Sequence, residues 1–233
     1  MTETAPPRAT IDASERRIAV APGHEVSALL VMPAQPRALY VLAHGAGADM
    51  RHAFMHLIAQ RLAGERIATL RYQFPYTERG RRRIDPEPLL LDTVRAAVAT
   101  GRDVAGELPL VAGGKSMGGR MTSRAFAAEP LAGVRGLAFL GFPLHPSGRP
   151  GITRAEHLAH VTVPLLFLQG TRDTLADLGL LGPVLAGLGD RATLRVIEHA
   201  DHGFHVQKRS GRTDDDVQAE LARAIVEWIE TLA

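Results

Sequence analysis

The stretch "LVAGGKSMGG", residues 110–119, decides the fold of this chain. Around Gly114-Lys115-Ser116 it reads as the end of a phosphate-binding loop. Around Gly114-Lys115-Ser116-Met117-Gly118 it reads as the turn that presents a reactive serine. A phosphate loop needs G-x-x-x-x-G-K-[ST], because the first glycine begins the wrap around the phosphates. Counting back from Gly114 puts Pro109 at that position, and Leu110-Val111-Ala112 reads as buried strand. The phosphate reading fails there. The other pattern, G-x-S-x-G, needs a strand before it and a helix after it, with small residues two before and two after the serine. Gly114 and Gly118 fill those two places, and Gly113 and Gly119 are read as adding slack.

Working outward, short β-type runs alternate with helical stretches. "RRIAV" and "EVSALLVMP" read as strands joined at the hairpin signal "APGH", and "ALYVLA" is apolar throughout, as a buried parallel strand is. "MRHAFMHLIAQRLAG" follows as a helix with Phe54, Leu57, Ile58 and Leu62 on one face and a stop at Gly64. Then come the strand "IATLRY", the helix "EPLLLDTVRAAVATGRDVA", the strand "LPLVAG" and the helix "GGRMTSRAFAAE". The strands "VRGLAFLGF" and "VPLLFLQG", the helix "LADLGLLGPVLAGL" and the strand "ATLRVIE" continue the series. A last helix, "DDDVQAELARAIVEWIETLA", has three aspartates at its positive end and an apolar stripe of Leu221, Ile225, Trp228, Ile229 and Leu232. Trp228 therefore reads as core. This alternation indicates an α/β domain on a mostly parallel sheet, over residues 16–233, with residues 1–15 as a flexible N-terminal tail.

Composition narrows the chemistry. The chain has 233 residues, 45% hydrophobic and 22% charged, enough for a packed core. It has no cysteine, which removes disulfides, a thiol nucleophile and cysteine-ligated metal. No secretory h-region and no span of roughly 18 apolar residues is evident, so the expectation is a cytoplasmic protein without a membrane partner. The net charge of +2 is small and spread out, which argues against a nucleic-acid partner. Lys115 and Lys208 are the only lysines.

A serine nucleophile needs three supports, and the sequence offers each. "LAHGAGADM" (42–50) is a glycine-rich loop after the third strand, suited to supply an oxyanion-hole N–H. The backbone N–H groups of Ala46 and Met117 are the donor pair, with His44 bracing the loop. The acid follows the strand in "PLLFLQGTRDTLAD": Asp173 is the candidate, with Asp177 the weaker one. Capping the helix that begins near Leu175 is the competing role for Asp173. The base is His202 in "EHADHGF" (198–204), while His199 and His205 read as surface or supporting residues. A metal reading ranks low. His199-x-Asp201-His202 matches the tail of H-x-H-x-D-H, but Ile197 occupies the first histidine position. His52 and His56 are spaced i,i+4 without the H-E-x-x-H glutamate.

HGAG, GGKSMGGR, GTRD and DHGF, in that order, resemble the α/β-hydrolase superfamily over nearly the whole chain. The general plan is similar to compact dienelactone-hydrolase-like serine esterases, with Ser116 where dienelactone hydrolases carry cysteine. "LRYQFPY", "GRRR" and "GGKSMGGR" look closer to a little-characterised bacterial hydrolase group with eukaryotic relatives, some of them subunits of a chromatin-modifying complex. The resemblance implies an eight-stranded, mostly parallel sheet with one antiparallel strand near its start and helices on both faces. It implies a Ser116–His202–Asp173 triad acting on a small-molecule carboxylic ester, thioester or amide, with no cofactor. The connection "PLHPSGRPGITRAEHLAHVTV" (143–163) has room for one short helix, so little or no cap is expected. The eukaryotic relatives support a competing reading as an interaction protein with little or no turnover. "TERGRRRIDP" (77–86) would lie beside the site, where Arg81 and Arg82 could form a cationic substrate rim. The competing reading is a solvated loop packed by ion pairs to Glu78 and Asp85.

Overall fold

The structure, a computed structural model, describes residues 11–232. Eight strands form one sheet: β1 (Ala13–Ala21), β2 (His24–Val31), β3 (Ala38–Ala43), β4 (Ile67–Tyr72), β5 (Leu110–Lys115), β6 (Val134–Leu140), β7 (Leu165–Gly170) and β8 (Ala192–Ile197). Their spatial order is β1-β2-β4-β3-β5-β6-β7-β8. Only β2 opposes its neighbours, pairing antiparallel with β1 and β4, and the remaining pairs are parallel. The single antiparallel strand near the start is thus where the family resemblance implied it. Ala13-Ser14-Glu15 belong to β1, and the Gln60 side chain holds the backbone N–H and C=O of Ile11 at 2.9 and 2.8 Å. The expected tail at 1–15 is therefore corrected: from Ile11 onward the chain is tied to the fold, and residues 1–10 lie outside the described residues.

Helices α1 (Ala53–Gly64) and α6 (Asp214–Glu230) cover one face; α3 (Glu87–Ala105), α4 (Met117–Ala128) and α5 (Leu178–Leu188) cover the other. Covering both faces explains why central strands read as unbroken apolar runs. In β3, Leu39, Val41 and Ala43 pack on one side while Ala38, Tyr40 and Leu42 pack on the other. Trp228 is core as expected, lying so close to β6 that a Cβ on Gly136 would sit 2.6 Å from its ring. In α6, Thr213 and Asp216 form a reciprocal capping box ahead of the apolar stripe.

Two local expectations change. On α1 the buried face is Met55, Ile58, Ala59, Leu62 and Ala63, whereas Leu57 is 45% exposed. The helix is rotated by about one residue from the expected face, which brings Phe54 to the site described below. The helix expected from Leu175 begins instead at Leu178, because the Asp177 side chain caps the N–H groups of Gly179 and Leu180. Three short elements had gone unread: a helical turn α2 (Pro75–Glu78) and 3₁₀ turns at Gly189–Arg191 and Lys208–Ser210. The short helix for which the β6–β7 connection has room is a 3₁₀ stretch at Thr153–His160. The latter is the only helix in the β6–β7 connection among the described residues, so no cap domain covers the sheet.

Candidate active site

From β3 the chain crosses to β4 on one side, and from β4 it returns past β3 to β5 on the other, so the strand order reverses between β3 and β5. Such a switch leaves a crevice at the strands' carboxyl ends. Ser116 stands at that point, a single residue between β5 and α4, held at φ 50° and ψ −117°. A non-glycine residue persists there only when its surroundings force it. The forcing comes from close packing. A Cβ on Gly114 would sit 2.3 Å from the Ala43 carbonyl oxygen, and one on Gly118 would sit 2.5 Å from that of His44. Gly113 and Gly119 are equally constrained: their Cβ atoms would approach Ala138 O to 1.9 Å and Gly114 O to 2.8 Å. These two positions are contact points and supply no slack, which corrects the sequence reading.

Ser116, His202 and Asp173 meet in a line. Ser116 Oγ lies 2.8 Å from His202 Nε2, and His202 Nδ1 lies 2.7 Å from Asp173 Oδ2. The acid comes from the loop after β7 and the base from the loop after β8, three separate segments converging at the sheet edge. The Asp173 side chain is 1% exposed, and a buried carboxylate must be satisfied. Besides His202, it accepts the Leu175 N–H at 2.8 Å and the side-chain amide of Gln169. Gln169 is oriented in turn by the Phe142 N–H, which donates to its Oε1 at 3.1 Å. An acceptor at Nδ1 keeps the proton there and leaves Nε2 free to accept from the serine hydroxyl. The capping role weighed for Asp173 is met only by its bond to Leu175, since Asp177 caps α5. Gln169 was not foreseen; a polar residue closing the otherwise apolar run "PLLFLQG" was the available signal.

The glycine-rich loop lies against the elbow, where a Cβ on Gly45 would be 3.5 Å from Ser116 Cβ. His44 is fully buried. Its Nδ1 donates to Gly45 O at 2.8 Å and its Nε2 accepts the Phe74 N–H at 3.2 Å. Burial pushes its pKa below the usual imidazole value, so it is a neutral brace, as read from sequence. Arg71 and Gln73 hold the far end of the loop through Met50 O and Met50 N, at 3.0 and 3.1 Å. Ala46 lines the cleft beside Ser116, and the Met117 N–H, first in α4, has no intrahelical acceptor.

The cleft over Ser116 has a volume of about 220 Å³ and is walled by Ala46, Phe54, Met55, Lys115 and His202. Phe54 stacks on Phe204 at 5.8 Å and closes one side. A second cavity of about 580 Å³ adjoins it through Gly47, Ala48 and His52 and is rimmed by Arg81 and Arg82. The competing reading of this loop holds in part: both carboxylates are paired, Asp85 by the loop's own Arg79 at 2.8 Å and Glu78 by Arg17 of β1 at 2.8 Å. Arg81 and Arg82 are exposed and make no ion pair among the described residues. His199 and His205 lie at the surface, where His205 pairs with Asp214 at 2.8 Å. His52 caps α1 by accepting the Phe54 N–H. Among the described residues no metal-binding cluster forms, and no helix is long and apolar enough to cross a membrane.

A strained serine elbow at the switch point of such a sheet defines the α/β-hydrolase class. The chain belongs to the alpha/beta hydrolase domain family, which matches it over residues 36–230. Its structure is similar to an α/β serine hydrolase without a lid from Xanthomonas campestris, with TM-score 0.73 and 20% identity, covering 95% of this chain and 97% of that one. It is also similar to a dienelactone hydrolase from Anabaena variabilis, with TM-score 0.71 and 21% identity, covering 94% and 98%. Two Mycobacterium tuberculosis proteins provisionally named phosphoribosyl transferases are 32% identical over 184 residues, 77% of this chain. The chain spans about two fifths of the length of those curated relatives, 39%.

Proposed function

We propose that this protein is a serine hydrolase that cleaves a carboxylic ester through an acyl-enzyme, with thioesters and amides within the same chemistry. The observation that carries the reading is the unbroken relay from Ser116 Oγ through His202 to Asp173, at 2.8 and 2.7 Å, opening into a cleft. His202 Nε2 takes the hydroxyl proton as Ser116 attacks the acyl carbon, and Asp173 stabilises the imidazolium. The Ala46 and Met117 N–H groups stabilise the oxyanion of the tetrahedral intermediate. The imidazolium then protonates the departing alcohol. Water, deprotonated by the same imidazole, attacks the acyl-serine and releases the acid. No step needs a cofactor. Phosphoribosyl transfer is not carried over from the curated relatives: that name describes chains of which this one matches 39%.

The test is intact-mass analysis after exposure to a fluorophosphonate, which esterifies an activated serine. One adduct on the wild type, absent from Ser116→Ala, is the expected result. A folded wild type that takes up no adduct would instead favour the interaction-protein reading.

The unpaired Arg81 and Arg82 beside the cleft support an acidic group on the substrate. Replacing both with alanine is expected to lower kcat/KM for a carboxylate-bearing ester about 10-fold at low salt, and far less for its neutral analogue. The difference shrinks at high salt, where exposed charges are screened. Equal losses for the two esters would remove the idea.

A further inference from the structure

The relay leaves one charged group in the cleft without a role. Lys115, the residue before Ser116, extends its Nζ to the backbone carbonyl of His202, donating at 2.6 Å. The ammonium lies 5.3 Å from the centre of the Phe204 ring, which Phe54 covers from α1. Gly141, at φ 71°, packs beside both Lys115 and His202: a Cβ there would be 3.2 Å from Nζ and 3.5 Å from the His202 ring.

The segment that carries His202 needs such a tie. It runs beyond β8 with two non-glycine residues at left-handed φ, His199 at 65° and Phe204 at 64°. Within it, Asp201 accepts the N–H groups of Gly203 and His205, at 2.8 and 3.0 Å, which fixes the turn's shape. Those bonds do not connect the turn to the elbow.

We propose that Lys115 is a positioning residue whose ammonium, bonded to the His202 carbonyl, locks the base's loop to the serine's turn. Two consecutive residues thereby hold His202 at both ends, Ser116 at the imidazole and Lys115 at the backbone. The proposal rests on the serine-hydrolase reading above. A clamp at the backbone leaves the imidazole free to rotate between Ser116 and the leaving group while its origin stays fixed. Rate depends steeply on such placement.

The clamp makes activity depend on the lysine's own proton. Burial pulls the Lys115 pKa down to about 8, while the charges of Asp173 and Asp201 act the other way. These two carboxylates and His202 are the titratable groups facing it. Below that pH the bond is charge-assisted; above it a neutral amine makes a weaker one. Turnover should therefore step down near pH 8 to a lower plateau, not to zero.

The experiment measures the rate of fluorophosphonate labelling and kcat/KM for a short neutral ester, from about pH 6 to about pH 10. Wild type and Lys115→Met are compared, with melting temperatures recorded. Methionine keeps the stem and removes the charge. We expect wild type to fall near pH 8, and K115M to run about 10- to 100-fold lower at neutral pH with that step gone. A wild-type profile without a step near pH 8 overturns the proposal even where K115M fails to fold. So does a folded K115M that keeps the step, whatever its rate. A wild type that is not labelled at any pH removes the serine-hydrolase reading, and this proposal with it, whereas labelling without the step removes only the role of Lys115.

Discussion

Ser116→Ala is expected to lower kcat by ~10⁶-fold while leaving the melting temperature within a few degrees. The change deletes one oxygen, whose hydrogen bond runs to His202. Gly114 and Gly118 still hold the backbone turn by their approach to Ala43 and His44. The fold therefore keeps its packing and loses its nucleophile. His202→Ala should lose about as much, because serine and base act as a unit, and the double variant should lose little more. Asp173→Asn is expected to cost about 10⁴-fold, since an amide partner no longer holds the productive tautomer. Steady-state kinetics on one neutral ester, with circular dichroism on each variant, decide the matter. Additive losses for Ser116 and His202 would mean that they do not act together.

The second large effect concerns stability. Gly113→Ala should leave little folded protein, with a loss above ~4 kcal/mol against a typical total of about 5–15 kcal/mol. Gly113 has φ 146° and lies on β5, flanked by β3 and β6. Its added Cβ would be 1.9 Å from Ala138 O, a backbone atom that no rotamer change can move aside. That same carbonyl accepts the hydroxyl of Tyr40, which reaches across β5 at 2.8 Å, so shifting it breaks a buried bond as well. Gly23→Ala is the contrast. It has φ 77° with nothing within 4 Å of the new Cβ, so the cost is only the left-handed backbone, roughly 1–2 kcal/mol. Urea denaturation of both variants tests the difference. A G113A variant as stable as G23A would show that β5 and β6 can separate without loss.

The unequal standing of those glycines shows where sequence reading stops. Gly114 and Gly118 were legible because the elbow pattern demands them. Gly113 shares their string, yet its partner is Ala138 on β6, whose register with β5 no local pattern reveals. Leu57 and Met55 differ in the same way. Both belong to one helical repeat, and the packing of α1 against the sheet and α6 chose Met55 for burial.

By itself the sequence determined the order of the main strands and helices, the elbow at Ser116, and Asp173 and His202 as the candidates beside it; that Asp173 rather than Asp177 meets His202 was left to the structure. Periodicity, capping and turn chemistry act over a few residues, so they are written locally, and the motifs stand at strand ends where those local rules place them. Only the tertiary structure decided that Gln169 steadies Asp173, that Lys115 bonds the loop of His202, and that Arg79 rather than Arg81 or Arg82 pairs with Asp85. One of these contacts, Lys115 to His202, crosses between distant segments, and all three depend on distances of a few ångströms set when the sheet assembles. A hydrogen bond or ion pair is a property of where two groups meet, and that is fixed by packing.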